Sequence, residues 1–236
     1  MDYNFYTGEV LLIDKPYTWS SFQAVNKIKY AIKGHSSLIV DDVKIKPKVG
    51  HAGTLDPLAN GLLIVCTGKK TKIIHEFMGL EKEYTGTFYI GATTPCYDLE
   101  KPPDTFFPID HITESDLINA AQSFVGLQLQ IPPIFSAVMV NGKRAYQLAR
   151  AGEETELKAR EIEIKTFQLS NIQLPSVDFK IVCSKGTYIR SIARDFGLAL
   201  NSGAHLTSLC RTRIGQFELK DAVTPQQFSD ALAVHS

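Results

Sequence analysis

Twelve consecutive residues constrain this chain more than any others: Gly50-His51-Ala52-Gly53-Thr54-Leu55-Asp56-Pro57-Leu58-Ala59-Asn60-Gly61. Three glycines, one proline and an asparagine in that space make an ordered loop, not a helix or a strand. Leu55 and Leu58 can tie the loop to a core, leaving His51, Thr54 and Asp56 for polar work. Leu62-Leu63-Ile64-Val65-Cys66 follows directly, a short apolar run of the kind that forms a buried strand. A loop pinned to a buried strand can hold one carboxylate in a fixed place, as a catalytic group requires. Read alone, Asp-Pro would be only a turn starter.

The loop resembles the GHxGTLDPxAxG signature of the TruB family, tRNA pseudouridine synthases acting on the T-loop uridine. The resemblance runs from about Gly8 to about Val223. Asp14-Lys15-Pro16 with Ser20-Ser21 is similar to the family's KPxGxTS segment, with Tyr17-Thr18-Trp19 in place of the glycine-containing middle. Lys82-Glu83-Tyr84 matches a Lys-x-Tyr whose tyrosine stacks on the target base. Gly91 to Asp98 is similar to a GxxTxTxD loop. Cys183-Ser184-Lys185-Gly186-Thr187-Tyr188-Ile189-Arg190 matches CSxGTYIRxL, in which the arginine pairs with the catalytic aspartate and the tyrosine touches the target nucleotide. Leu209 falls where the family sets an apolar residue against the flipped base.

The resemblance therefore implies Asp56 and Arg190 as catalytic, with His51, Tyr84, Tyr188 and Leu209 binding substrate. Lys15, Lys143, Arg144, Arg150 and Arg211 are the expected RNA contacts, and Met139 stands where the family usually has lysine. The implied fold is mixed α/β (α+β), a central, largely antiparallel sheet flanked by helices. The expected catalytic domain spans residues 1–222. Residues 223–236 would form a short tail or helix in place of the further small RNA-binding domain of many bacterial members.

Composition narrows the alternatives. A chain of 236 residues suffices for one large domain, and 44% hydrophobic with 21% charged content is ordinary for a soluble globular protein. No apolar run approaches the ~20 residues of a membrane span, and the N-terminus lacks a signal-peptide pattern. Cytoplasmic residence, a monomer and no membrane partner are expected. Cys66, Cys96, Cys183 and Cys210 are far apart, without metal-ligand spacing, so free thiols are expected and no metal. No Gly-rich phosphate loop or dinucleotide fingerprint calls for a cofactor. Net charge is zero, so any tRNA binding must rest on local basic clusters.

Along the chain, Gly8 to Ile13 reads as a strand. Ser20 with Gln23 is a capping box opening a helix with Phe22, Val25, Ile28 and Ile32 as its apolar stripe. Lys27, Lys29 and Lys33 lie off the stripe, as a solvated face or as phosphate contacts. Residues 35–48 read as a loop insertion carrying Lys44, Lys46 and Lys48. Thr71 to Met78 reads as a short helix. Lys82 to Ala92 alternates, with Tyr84, Gly86, Phe88 and Ile90 on one face. Leu99 to Asp110 suggests a mobile surface loop. Thr113 caps a helix through Gly126, and Asn141-Gly142 signals a hairpin. Glu161 to Leu169 and Val177 to Ser184 read as paired strands, followed by a helix from Tyr188 to Leu200. Arg190 has the wrong charge for that helix's N-terminus, which marks it as a paired or functional residue.

Uridine-to-pseudouridine conversion breaks the bond from N1 to the ribose and remakes it through C5. One carboxylate can serve it, as nucleophile at the anomeric carbon or by assisting departure of the base. The nucleotide must first leave the stacked loop, with His51 suited to the vacated space, Tyr84 and Leu209 around the uracil, and Arg190 holding Asp56 ionised. Two other classes stay open: a non-catalytic tRNA-binding or remodelling module, and a carboxylate-dependent sugar hydrolase. The second normally needs a second catalytic acid, and none partners Asp56 within the signature loop.

Overall fold

The computed structural model describes residues 3–136, 138–140, 142–152 and 157–233, with the backbone alone at 149 and 150. The chain forms two compact units, Met1–Glu83 with Cys210–Ser236, and Tyr84–Leu209. The first unit begins with β1 (Val10–Lys15), α1 (Ser21–Ala31), β2 (Ile39–Val40), β3 (Val43–Lys44), β4 (Val49–His51), β5 (Asn60–Thr67) and α2 (Ile74–Gly79). It enters β6 (Lys82–Ile90), which leads into the second unit and β7 (Ala92–Thr93), β8 (Thr105–Phe106), α3 (Glu114–Ser123) and β9 (Gly126–Gln130). There follow β10 (Met139–Val140), β11 (Lys143–Arg144), α4 (Ala145–Arg150), β12 (Arg160–Gln173), β13 (Ser176–Cys183) and α5 (Ile189–Ala199). β14 (Ala204–Ile214) returns the chain to the first unit, which closes with β15 (Phe217–Glu218) and α6 (Pro225–Ala233).

In the first unit, β1 and β4 both pair antiparallel with β5, whose far end pairs with β14 in parallel through Cys210↔Asn60 and Arg211↔Gly61. β5 is buried along almost its whole length, as its unbroken apolar run requires. The capping box at Ser20 and Gln23 opens α1. The helix buries Ser21, Ala24, Val25 and Ile28, and its packing against β4 and α6 places Phe228 and Leu232 in the core with Phe5 and Ile13. Phe22 is not part of the stripe: it is 69% exposed. At 100° per residue it lies about 60° outside the arc of Val25, Ile28 and Ile32. Residues 35–48 are more ordered than a plain loop. β2 and β3 form a hairpin with Ile39↔Lys44 and Val40↔Val43, turned by Asp41 and Asp42, both at positive φ.

The second unit carries the strand order β14-β6-β13-β12-β9. β12 pairs antiparallel with both β13 and β9. The fold is thus mixed α/β with a largely antiparallel sheet, as expected, and α3 packs on β12 and α5. Its core is aromatic: Phe88 stacks on Phe179 at 4.1 Å between ring centroids and meets Phe167 and Phe196. Residues 99–110 are tied down. β8 pairs with β7, the Asp104 carboxylate accepts from the Thr93 hydroxyl, and the Phe107 amide donates to the Gly91 carbonyl. β9, absent from the sequence reading, turns Leu127 and Leu129 to solvent at 71% and 77% exposure while Gln130 is buried. The β10–β11 hairpin brackets Asn141, which lies outside the described residues.

Candidate active site

β4 ends at His51, where the Ala52 amide still donates to the Ile64 carbonyl, and the chain then leaves the sheet. The loop turns at Asp56. The Ala59 amide donates back to the Asp56 carbonyl at 3.1 Å, with Pro57 in the second position, where its fixed φ favours a turn. Buried Leu55, immediately before Asp56, has both backbone groups satisfied by one hydroxyl. Its amide donates to Ser21 Oγ at 2.8 Å, and Ser21 Oγ–H donates to its carbonyl at 3.1 Å. Ser21 thus fixes the approach to Asp56 from the first turn of α1, and no sequence spacing announces it.

Two buried cations complete the seat. Lys15, 0% exposed, donates from Nζ to the carbonyls of Pro16 at 3.0 Å, Trp19 at 2.5 Å and Pro57 at 3.5 Å. Burial lowers its pKa to about 8, with the Asp56 carboxylate pulling the other way. Arg211, 1% exposed, donates from Nε to the Leu62 carbonyl at 2.8 Å and from Nη2 to the Gly53 carbonyl at 3.1 Å. It reaches those atoms because β14 approaches β5 at Gly61, whose φ is +102° and where a Cβ would stand 2.4 Å from the Arg211 carbonyl oxygen. Both residues entered as expected RNA contacts, yet their cationic ends are engaged by loop backbone. His51 is half-buried, and burial lowers its pKa, which favours the neutral ring at neutral pH.

In the second unit, Tyr188 caps α5 and is clamped by Gln130. The Tyr188 amide donates to Gln130 Oε1 at 2.8 Å, and Gln130 Nε2 donates to the Tyr188 carbonyl at 3.1 Å. Arg190, 5% exposed, is a paired residue, as its misplaced charge suggested. Its Nε lies 3.7 Å from the Asp98 carboxylate, and its Nη atoms donate to the Cys96 and Phe135 carbonyls. Asp98, in the GxxTxTxD-like loop, was not foreseen as that partner. Asp56 lies in the first unit and Arg190 in the second. Tyr84, buried at the start of the second unit, lies on the face expected from the alternation of β6. Leu209 is half-buried on β14. Lys143 and Arg144 are exposed on β11, and the Arg150 side chain lies outside the described residues.

All four cysteines are free thiols. Among the described residues no group of three or more His, Cys, Asp or Glu side chains could hold a metal ion. No helix among them is long and apolar enough to cross a membrane.

Comparison with known proteins gives this geometry a lineage. The chain is 55% identical over 227 residues to a tRNA pseudouridine synthase B of Flavobacterium johnsoniae, covering 95% of this chain and 96% of that one. A protein of the same name from Phocaeicola vulgatus is 54% identical, with 97% and 95% covered. Among solved structures, a chain of a Cbf5-Nop10-Gar1 complex matches with a TM-score of 0.70 and 27% identity over 96% of this chain. The present chain spans 55% of that longer one. Residues 190–236 match the tRNA pseudouridylate synthase B C-terminal domain. Residues 41–189, which hold the loop seated by Lys15, Ser21 and Arg211, match the N-terminal domain of the TruB family of pseudouridylate synthases, and the chain belongs to that family.

Proposed function

We infer that this chain isomerises a uridine of tRNA to pseudouridine, with the T-loop uridine as its target. The observation that carries the reading is the seat of Asp56. A one-hydroxyl clamp and two buried cations bonded to backbone carbonyls fix a loop whose single carboxylate is Asp56. That preorganisation costs two buried charges, and a loop that merely connected strands would not need it. Relatives of more than half-identical sequence carrying the name tRNA pseudouridine synthase B support the substrate class.

The nucleotide is flipped out of its stack, and His51 fills the space. Tyr84 stacks on the uracil, Leu209 packs on its other side, and Tyr188 touches the nucleotide. Arg190 pairs with Asp56 and orients its carboxylate through the planar fork of the guanidinium. The N1–C1′ bond breaks, uracil turns, C1′ bonds to C5, and the C5 proton is lost while N1 gains one. The Asp56 carboxylate either adds at C1′ or assists the departure of the base, and both routes are redox-neutral. Lys143, Arg144 and Arg150 contact tRNA phosphates, whereas Lys15 and Arg211 act by holding the loop. Residues 1–222 carry the reaction, and the helix α6 (Pro225–Ala233) packs beside α1. The enzyme works as a monomer in the cytoplasm.

Tritium release from a tRNA transcript carrying 5-tritiated uridine tests the reading, with the product mapped along the tRNA. Release with one pseudouridine in the T-loop is expected. Tight tRNA binding without release would establish the non-catalytic alternative.

A further inference from the structure

A part of the first unit that the reaction does not use has the character of a second RNA-binding surface. Residues 22–48 contain six lysines and two aspartates, in a chain whose 25 basic and 25 acidic residues balance, so positive charge is concentrated here. The two acids occupy the tip of the β2–β3 hairpin. From Lys44 to Lys48 the chain is extended and exposure alternates: Lys44, Lys46 and Lys48 are exposed, Ile45 and Pro47 less so. Alternate residues of an extended chain share a side and stand about 6.5–7 Å apart. The run is held at both ends, by the Ile45 amide on the Leu38 carbonyl and by the Gly68 amide on the Lys48 carbonyl. Among the described residues none of the three lysines is in an ion pair.

The outer face of α1, which packs against β4, continues the same chemistry. Phe22, Lys29 and Tyr30 fall within roughly a 100° arc of that helix, and Lys33 follows in the turn just after its C-cap. Phe22 and Tyr30 are 69% and 73% exposed, and both lysines are exposed and without an ion pair among the described residues. Lysines interleaved with exposed aromatic rings fit a nucleic acid, which offers phosphates to the first and base faces to the second. A solvated helix face would need the lysines but not the rings.

We propose that Lys44, Lys46 and Lys48, with the outer face of α1, form a phosphate-binding track for the tRNA backbone flanking the modified loop. The track runs without a break into β4 and ends at His51, so it leads from the tRNA stem to the flipped nucleotide. It rests on the synthase reading for its choice of RNA.

The test is fluorescence anisotropy of the full chain with a tRNA transcript over a potassium chloride series. Lys44→Ala/Lys46→Ala/Lys48→Ala should lower the slope of log affinity against log salt by about 2–2.7 and weaken binding about tenfold or more near 0.1 M salt. The triple arginine variant should keep the wild-type slope. Lys29→Ala/Lys33→Ala, in the other half of the surface, should lower the slope by about 1.4–1.8 and gives a reading independent of how the hairpin tolerates substitution. Wild-type slope and affinity in both alanine variants would overturn the track, even with pseudouridine formed normally by the unaltered chain. Absence of product from the unaltered chain would instead overturn the synthase reading, and the salt slopes would still decide whether this surface binds RNA.

Discussion

The first unit contains cations in two opposite situations. Lys15 and Arg211 are withdrawn from water and spend their hydrogen bonds on the carbonyls of the signature loop and its neighbours. Lys44, Lys46 and Lys48 lie on one side of an exposed run and have no ion pair among the described residues. The first arrangement sacrifices hydration to fix a backbone, whereas the second keeps hydration and counterions to exchange for phosphates. The same residue types thus build the site in one place and are suited to greet the substrate in the other. Removing each kind of charge in turn separates the two roles.

Among the cations, the largest effect is expected at Arg190, which is buried in the second unit. Arg190→Lys keeps the charge and loses the planar fork, so single-turnover rate should fall about 100-fold or more. Arg190→Met should fall further, because it loses the charge as well as the fork; a rate equal to that of Arg190→Lys would show that charge at this position does not matter. Next comes Arg211→Met, which leaves the Leu62 and Gly53 carbonyls without their donor. Melts should show a loss of about 1–3 kcal/mol, and displacement of the loop should slow turnover by about 100-fold at undiminished salt slope. A reduced slope would return Arg211 to the RNA surface.

Lys15 sharpens the contrast through pH. An unfolded lysine titrates at 10.5 and Lys15 in the fold at about 8. Between those values the unfolded chain holds a proton that the folded chain has lost, so stability rises with pH across that window, and the penalty is fully present below 8. Relative to Lys15→Met, the wild type should gain on the order of 1–3 kcal/mol between about pH 7 and about pH 10 by denaturant unfolding. No relative gain would mean that Lys15 is solvated. The smallest effect is expected on the exposed hairpin of the second unit. Lys143→Ala/Arg144→Ala should lower the salt slope by about 1.4–1.8 and weaken tRNA binding several-fold. An unchanged slope would remove them from the interface.

Legibility followed the range of each interaction. The capping box at Ser20 and the helix cap at Thr113 are written within four residues and were readable as such. The pairing of β12 with β13 was readable because alternation is local too. Ser21 clamps a residue 34 positions away, and Asp98 sits beside an arginine far along the chain, so neither spacing carries a signal. Periodicity misled where a residue matched the apolar pattern but not its arc, as at Phe22. It was silent where an edge strand turned its leucines outward, as in β9. The motif marked Lys15 and Arg211 as significant, but only burial distinguishes a cation that holds a loop from one that meets a phosphate.

The central claim is that the seated carboxylate of Asp56 performs the chemistry. Asp56→Asn keeps the shape of the side chain and its turn and removes only the charge and nucleophilicity. Single-turnover tritium release by this variant, measured alongside tRNA binding and thermal melting, addresses that claim most directly. The account predicts a folded protein that binds tRNA nearly as well as the wild type and releases no tritium above background. Pseudouridine formed by Asp56→Asn at a substantial fraction of the wild-type rate would contradict it.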